Sequence, residues 1–260
     1  TANYRSGELL KVIADSLNQV LSIHPLTDIE AREAKLVFND SIRSELPADI
    51  ELDKIDTNLL NIPVRNADFK KWNAVACTNV IPNLTAAQSL FDFCAAQGCK
   101  APNPTVNPCI PFQYVIDGCY ARAHKMRWII ETMYKYCSYK VFSFANQNND
   151  VLAVRAAKWG NCCVQWWYHV APLVYVNVNN VAVAYVIDPG MFNTPVTLST
   201  WLLAQQTTNC NARAHVSTYT VQPSSAYTPA NYAGTQFNTD PNYVATNQTL
   251  IAYKNGVTCP

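Results

Sequence analysis

The chain has 260 residues, and 49% of them are hydrophobic, which is enough for a sizeable core in one large domain or in one domain with a smaller appendage. The formal net charge of +1 and the pI of about 7.4 argue against nucleic acid or an anionic membrane as a partner. No apolar run reaches the roughly 20 residues that a membrane span requires, and a signal peptide is either absent or already removed.

Residues 1–76 differ in composition from the rest of the chain. They hold 21 of the 37 charged residues and no cysteine, which predicts one domain over residues 1–76 and a second over residues 77–260. Apolar residues at helical spacing predict an amphipathic helix over residues 6–21 and another over residues 27–46. The first domain is therefore expected to consist of two helices and an extended stretch after Pro47.

The second domain is predicted to be α+β, with a central helix packed on an antiparallel sheet. A short helix is expected over residues 85–97, and the central helix over residues 119–136 has the wide apolar face of a helix buried against a sheet. Runs rich in Val, Tyr and Trp predict strands at residues 139–144, 163–176 and 181–187, a turn at 177–180, and shorter strands at 216–221 and 250–253.

Ten cysteines in a chain of this length predict disulfides, and hence a secreted or periplasmic protein. No Cys-x-x-Cys pair occurs and the four histidines are far apart in sequence, so neither a metal nor a cofactor is expected. If one cysteine is kept as a thiol, nine remain, so at least one more must be free. The adjacent Cys162 and Cys163 are expected to belong to separate disulfides.

Cys119 follows Gly118 and opens a run of helix-compatible residues. A thiolate in this place is stabilised by backbone N–H groups and by the helix dipole, which makes Cys119 a candidate nucleophile. The structural alternative is a disulfide partner or a buried thiol. His124 lies five residues later, about 140° around a helix, so it faces elsewhere and is assigned a structural role.

His169 and Asp188 are the candidate base and its orienting group. If the turn is centred between Val178 and Asn179, cross-strand pairing places His169 directly opposite Asp188. A shift of the centre by one residue makes the two near-diagonal on the same face. Either register predicts an Asp–His pair that completes a Cys–His–Asp constellation; a core histidine and an ordinary Asp-Pro turn are the alternatives.

Three segments of the second domain resemble the secreted bacterial protein-glutaminases, which deamidate glutamine side chains in intact proteins. The first is CIPFQYVIDGCYARAHKMR, from Cys109 to Arg127, and the second is CCVQWWYHVAPLV, from Cys162 to Val174. The third is Ile187-Asp188-Pro189, followed by Pro195-Val196-Thr197 and Trp201. The resemblance covers residues 80–201.

The resemblance implies a papain- and transglutaminase-like fold with a catalytic triad that falls on Cys119, His169 and Asp188. It also implies that residues 1–76 are a prosegment still attached to the catalytic domain, so the chain is a zymogen. The expected partners are this prosegment and protein substrates with exposed glutamine, and the expected state is a monomer.

The predicted substrate cleft contains Trp167, Tyr168 and Arg122. The family pattern has a small residue two positions before the histidine, whereas this chain has Trp167, which is expected to narrow the cleft. Trp167 is expected to share a strand face with His169. Arg122, one helical turn after Cys119, either contacts substrate or forms a structural salt bridge, and Trp166 is assigned to the core.

Three classes of function remain open from the residues alone. The triad suits glutamine deamidation, but the same groups also suit a thiol protease or a transglutaminase. A non-enzymatic, disulfide-stapled binding protein is the third class, and in it Cys119 would have no reactive role.

Overall fold

The structure is a computed structural model, and the residues that it describes are 10–14, 20–25, 77–146, 148–155 and 157–256. The chain divides into two compact units, Thr1–Asp56 and Thr57–Pro260. The boundary predicted at residue 76 and the helix predicted over residues 27–46 rest on residues outside the described ranges. Within those ranges, no helix has both the length and the apolarity that a membrane crossing requires.

The described part of the first unit is an antiparallel hairpin. Strand β1 covers Leu10–Ala14 and strand β2 covers Val20–Pro25. The helix predicted over residues 6–21 is therefore wrong where this segment is described, because those residues lie in strands. Each strand contains a valine and an isoleucine, which pack better on a pleated strand than in a helix, and the pairing satisfies the backbone groups of both strands.

The second unit is α+β, as predicted. Its strands and helices in chain order are β3 (Val80–Ile81), α1 (Leu84–Ala96), α2 (Cys119–Trp128), β4 (Tyr139–Phe144), β5 (Leu152–Arg155), β6 (Cys163–Trp166), β7 (Tyr168–Val178), β8 (Val181–Val186), β9 (Val196–Thr197), α3 (Leu198–Leu203), β10 (Thr218–Pro223), β11 (Ala226–Pro229), β12 (Phe237–Thr239) and α4 (Val244–Ala252). A π-helical turn, Ile129–Met133, continues α2. The predicted central helix is thus present, although its last turn is not α-helical.

Strand β7 is the centre of the main sheet. The strand order is β10-β4-β7-β8-β9, and β3 adds a short parallel pairing to β7. The first half of β7 pairs with β4, and the second half pairs with β8. Helix α2 packs on one face of this sheet, where Ala123 joins a buried cluster with Phe142, Phe144 and Val170. The predicted arrangement of a central helix on an antiparallel sheet is confirmed.

The turn between β7 and β8 sets the register of the two strands. Asn179 and Asn180 form its corner with φ of 52° and 66°, the left-handed conformation that a tight two-residue hairpin turn needs. Leu173 consequently pairs with Val186. This is the register shifted by one turn position, so the direct pairing of His169 with Asp188 is wrong and the near-diagonal arrangement is confirmed.

The C-terminal part of the chain is helical where a strand was predicted. Residues 250–253 fall in or next to α4, which covers Val244–Ala252. The carboxylate of Asp240 accepts hydrogen bonds from the Thr246 amide and hydroxyl, both at 2.7 Å, and so satisfies donors at the helix start. Leu250 is fully buried, and α4 packs against α2. Tertiary burial and this cap outweigh the strand tendency of a short Leu-Ile-Ala-Tyr run.

Disulfides staple the second unit, as its cysteine content predicts. Three bridges join Cys77 with Cys137, Cys99 with Cys109, and Cys163 with Cys210. Cys162 is also disulfide-bonded, and because Cys163 pairs with Cys210 the two neighbours belong to separate bridges. Among the described residues, two thiols, Cys94 and Cys119, are free and buried. The second free thiol that the cysteine count required is therefore Cys94.

Candidate active site

Cys119 is the first residue of α2, and Gly118 shapes this helix start. Gly118 adopts the left-handed conformation with φ of 81°, and a Cβ atom there would lie 2.7 Å from the ring of Tyr253. Glycine satisfies both constraints because it has no side chain. At the start of a helix the first N–H groups have no intrahelical acceptor, so the Cys119 amide is available to a ligand.

Arg122 holds the loop that precedes Cys119. Its Nη1 donates to the carbonyl oxygens of Tyr114 at 2.7 Å and Asp117 at 2.8 Å, and the residue is only 7% exposed. Tyr253, which follows the last residue of α4, donates a hydrogen bond of 2.8 Å from its hydroxyl to the Asp117 carboxylate. Arg122 therefore bonds to backbone carbonyls, which differs from the predicted substrate contact or salt bridge.

His169 and Asp188 form a buried pair. The Nε2 atom of His169 lies 2.9 Å from Oδ2 of Asp188, and the two residues are 3% and 5% exposed. Asp188 follows the end of β8, where the carbonyl oxygen of Pro172 accepts a hydrogen bond from the Ile187 amide. Pro172 has no backbone N–H and cannot donate a hydrogen bond in return. The ladder ends at this point, and the Asp188 side chain reaches His169 diagonally across it.

The remaining ring nitrogen of His169 is left for the thiol. Its Nδ1 atom is buried, and among the described residues it has no completed hydrogen bond. Cys119 nevertheless interacts closely enough with His169 to affect its protonation. Catalytic hydrogen bonds are often long before substrate binds, so this geometry suits a resting Cys–His pair.

The electrostatics of the site favour the imidazolium form of His169. Burial lowers the pKa of His169, but the hydrogen bond to Asp188 and the interaction with Cys119 outweigh it and raise the pKa to about 9. Burial would raise the pKa of Asp188, but His169 and Trp201 hold it below its usual value. The buried Asp188 carboxylate and His169 imidazolium thus stabilise each other.

Two indole rings enclose the imidazole. Trp201 is fully buried, its Nε1 donates to Asp188 Oδ2 at 3.0 Å, and its ring stacks on His169 with centroids 5.4 Å apart. Trp166 stacks on His169 with a centroid distance of 4.8 Å. The orienting hydrogen bond between Asp188 and His169 is therefore shielded by aromatic side chains.

A cleft of about 510 Å³ opens at Cys119, a size within the usual range for ligand pockets. Its lining residues are Ile116, Asp117, Cys119, Asn148, Asp150, Val151, Gln165, Trp166, Trp167 and Tyr168. Trp167 and Tyr168 are thus in the cleft, and Arg122 is not one of its lining residues. Burial, together with nearby Cys119 and Asp117, raises the pKa of Tyr168, so its phenol stays protonated beside the thiol.

Trp167 does not share a strand face with His169. It lies between β6 and β7, and its ring packs 4.4 Å from the ring of Tyr232 and 6.2 Å from that of Phe144. The prediction was wrong because the alternation of a strand begins only at Tyr168. Trp167 still lines the cleft, where its indole forms part of an aromatic wall.

His124 has the structural role predicted for it. It is fully buried, its Nδ1 lies 2.6 Å from Lys140 Nζ, and its Nε2 lies 3.1 Å from the Asp240 carbonyl. Burial and the neighbouring Lys140 lower the pKa of His124 to about 3, so it is neutral in the core. Among the described residues no group of three or more His, Cys, Asp or Glu side chains could hold a metal ion.

The contacts of Trp166, Trp201 and Tyr253 at the site were not predicted from the sequence. Trp166 was assigned to the core, yet it is half-buried and lines the cleft. The available signal was the placement of Trp166 and Trp201 in segments shared with a catalytic family, whereas nothing in the sequence pointed to Tyr253.

The chain is similar to known proteins over most of its length. A family model described as glutaminase matches residues 87–205. A crystal structure of a pro-protein-glutaminase is 27% identical with a TM-score of 0.62, and the match covers 95% of this chain and 74% of that chain. No curated protein matches.

Two structures of protein-glutaminases are more similar to this chain in sequence than the pro-protein-glutaminase structure is. An NMR structure of the protein-glutaminase from Chryseobacterium proteolyticum is 35% identical with a TM-score of 0.59, and the match covers 68% of this chain and 90% of that one. A crystal structure of protein-glutaminase is 34% identical with a TM-score of 0.61, and the match covers 70% of this chain and 92% of that chain. This chain therefore belongs to the protein-glutaminase family.

Proposed function

We propose that the chain is the zymogen of a protein-glutaminase that hydrolyses glutamine side chains to glutamate and ammonia, with Cys119, His169 and Asp188 as its catalytic triad. The observation that carries the proposal is the buried His169–Asp188 hydrogen bond, which leaves Nδ1 of the imidazole for the thiol of a cysteine at a helix start. All three residues come from one chain, which supports a monomer as the active form.

In the first half of the reaction, the Cys119 thiolate attacks the carboxamide carbon of glutamine. The carbonyl oxygen becomes an oxyanion, and the Cys119 amide at the start of α2 donates a hydrogen bond to it. His169 then passes the proton on Nδ1 to the departing nitrogen. The C–N bond breaks, ammonia leaves, and a thioester joins the substrate to Sγ.

In the second half, water replaces ammonia in the cleft. The now neutral imidazole of His169 accepts a proton from water at Nδ1 while the oxygen attacks the thioester carbon. The C–S bond breaks, and the products are glutamate and the restored thiolate–imidazolium pair. Asp188 holds the proton of Nε2 throughout, so that Nδ1 is always the nitrogen that exchanges a proton.

The proposed reaction is tested by what it does to a protein substrate. A glutamine-rich protein incubated with the catalytic domain is expected to release ammonia and to gain about 1 Da at each modified glutamine, as carboxamide becomes carboxylate. Chain cleavage would instead identify a thiol protease, and crosslinks formed when a lysine-rich protein is added would identify a transglutaminase. Ammonia assays and intact-mass spectra separate these results, and none of the three would indicate a binding protein.

We propose further that residues 1–76 are an inhibitory prosegment. The match to the pro-protein-glutaminase structure covers 95% of a 260-residue chain and so must include most of residues 1–76, whereas the match to the crystal structure of protein-glutaminase covers 70%. The disulfides of the second unit favour an oxidising compartment, which supports secretion from, or the periplasm of, a bacterium.

Cutting the chain after residue 76 is expected to raise ammonia release by more than about 10-fold, since an occluding segment in the same chain acts at a high effective concentration. A protease site inserted at this junction allows the same sample to be assayed before and after cleavage. The matched control carries a scrambled insert that the protease ignores. Activity that stays equal or falls would instead make residues 1–76 a module that recruits substrate.

The aromatic wall at Trp167 is proposed to restrict access to Cys119. Trp167→Ser is expected to raise kcat/KM on folded protein substrates by about 10-fold. Without the indole, bulky residues next to the target glutamine no longer clash with the wall of the cleft. A blocked glutamine dipeptide, which is narrow enough for the unmodified cleft, serves as the control substrate. An equal change with both substrates would show that Trp167 does not select by size.

A further inference from the structure

Trp166 contacts His169 and the loop that leads to Cys119. Its ring lies almost parallel to the imidazole of His169, with centroids 4.8 Å apart and an angle of 12° between the planes. Its Nε1 donates a hydrogen bond of 2.8 Å to the carbonyl oxygen of Val115. Val115 is buried and lies four residues before Cys119 in the loop that leads into α2. One indole therefore joins the strand of the base to the loop of the nucleophile.

The position of Trp166 is itself held from several sides. It ends strand β6, where it pairs with Leu152, and the ring of Trp159 packs edge-on against it at 5.9 Å and 86°. These contacts restrict the rotamer of Trp166. A restricted indole transmits the position of β6 to both partners, so neither the His169 ring nor the Val115 carbonyl moves independently of the other.

The ring of Trp166 also favours the positively charged form of His169. Trp201 stacks on the imidazole as well, with centroids 5.4 Å apart and an angle of 24°. Both indoles are within the roughly 6 Å at which an aromatic face attracts a cation. Because the site is buried, this attraction is weakly screened and adds to the effect of the Asp188 carboxylate.

We propose that Trp166 is a positioning residue with two separable actions: its N–H anchors the loop that carries Cys119, and its ring stabilises the imidazolium of His169. The proposal rests on the proposed function for its relevance to catalysis. It assigns the two actions to different atoms, and substitutions can therefore remove one action or both.

Trp166→Phe removes the N–H and keeps an aromatic ring, whereas Trp166→Leu removes both. The chain has only four histidines, so the His169 resonance is followed by NMR in the full-length protein labelled on histidine, with His169→Gln to assign it. We expect the titration midpoint of His169 to fall by about one pH unit in Trp166→Leu and by less than half of that in Trp166→Phe. Trp128→Leu, which removes an indole at the far end of α2, is the control and should leave the midpoint unchanged.

The anchoring action is read from turnover after cleavage at residue 76. In Trp166→Phe we expect kcat to fall by about 10-fold, because the loop with Cys119 loses its link to β6, while the midpoint of His169 stays near its original value. An unchanged midpoint in a folded Trp166→Leu protein would overturn the electrostatic action, and full kcat in Trp166→Phe would overturn the anchor. If Trp166→Leu does not fold, as judged by thermal melting, the electrostatic action is tested by Trp166→Met, which is also non-aromatic.

The two parts of the experiment fail in different ways. If the protein without substitutions releases no ammonia even after cleavage at residue 76, the proposed function is wrong, but the NMR titration still tests the effect of the indole on His169. If the unmodified protein is active and neither Trp166 variant changes the midpoint or kcat, the proposed function stands and the role of Trp166 is wrong.

Discussion

Replacing Cys119 with alanine is expected to abolish ammonia release from protein substrates, with a loss of at least about 10⁴-fold in kcat. The thioester needs a sulfur nucleophile, and alanine leaves the cleft without one. The start of α2, its N–H groups and the His169–Asp188 pair remain in place, because Cys119 is small and 6% exposed. Ammonia is measured with the protein cut after residue 76, so that a prosegment does not mask the comparison.

Cys94 provides a matched control for this substitution. It is the other free thiol of the described chain and is also buried, but it lies in α1, where burial raises its pKa. Cys94→Ala is expected to retain activity, and iodoacetamide is expected to alkylate Cys119 while leaving Cys94 unmodified. Undiminished ammonia release in Cys119→Ala would remove the thioester mechanism altogether.

Substitution of Asp188 has the second largest expected effect. Asp188→Asn keeps an oxygen that can accept from His169 and Trp201 but removes the negative charge, and we expect kcat/KM to fall by about 10²-fold. Asp188→Ala removes the acceptor as well and is expected to lose about 10³-fold or more, since the tautomer of His169 is then unconstrained. Thermal melting of both variants separates loss of activity from loss of folding.

The pH profile tells whether Asp188 acts through the charge of His169. The carboxylate is one of the groups that raise the pKa of His169, so its removal lowers that pKa. The acid needed to release ammonia is the imidazolium, and activity therefore falls as pH rises through the pKa of His169. The alkaline limb, expected near pH 9 in the unmodified enzyme, should shift to lower pH in Asp188→Asn. A limb that does not move would mean that Asp188 has no electrostatic effect on the base.

Local patterns were enough for the main architecture of the second unit. Three features depend on residues that are near each other in sequence. They are the central helix, the hairpin of β7 and β8, and the side-chain contact between His169 and Asp188. The sequence left two registers open, since Asn177 to Asn180 offers several turn centres, and the structure selects the one in which the left-handed pair Asn179 and Asn180 closes the hairpin. Both registers place the side chains of His169 and Asp188 on the same face of the sheet.

Other predictions failed where tertiary contacts overrode a local pattern. The apolar spacing of residues 6–21 suits a helix, yet the described residues of this segment lie in strands β1 and β2, which pair with each other. Residues 250–253 have strand-forming composition, yet the cap at Asp240 and the burial of Leu250 make α4 a helix. In both cases a partner distant in sequence or outside the window of the pattern determined the outcome.

The sequence by itself determined the candidates for the thiol, the base and the carboxylate, because motif spacing and strand alternation are local properties of the chain. Only the tertiary structure decided that Nε2 of His169 binds Asp188, so that Nδ1 serves the thiol. It alone showed Tyr253 against Gly118 and Trp166 between His169 and Val115. The contacts of Tyr253 with Gly118 and of Trp166 with Val115 join segments that are roughly 50 to 140 residues apart, and no local pattern encodes the closure of such loops.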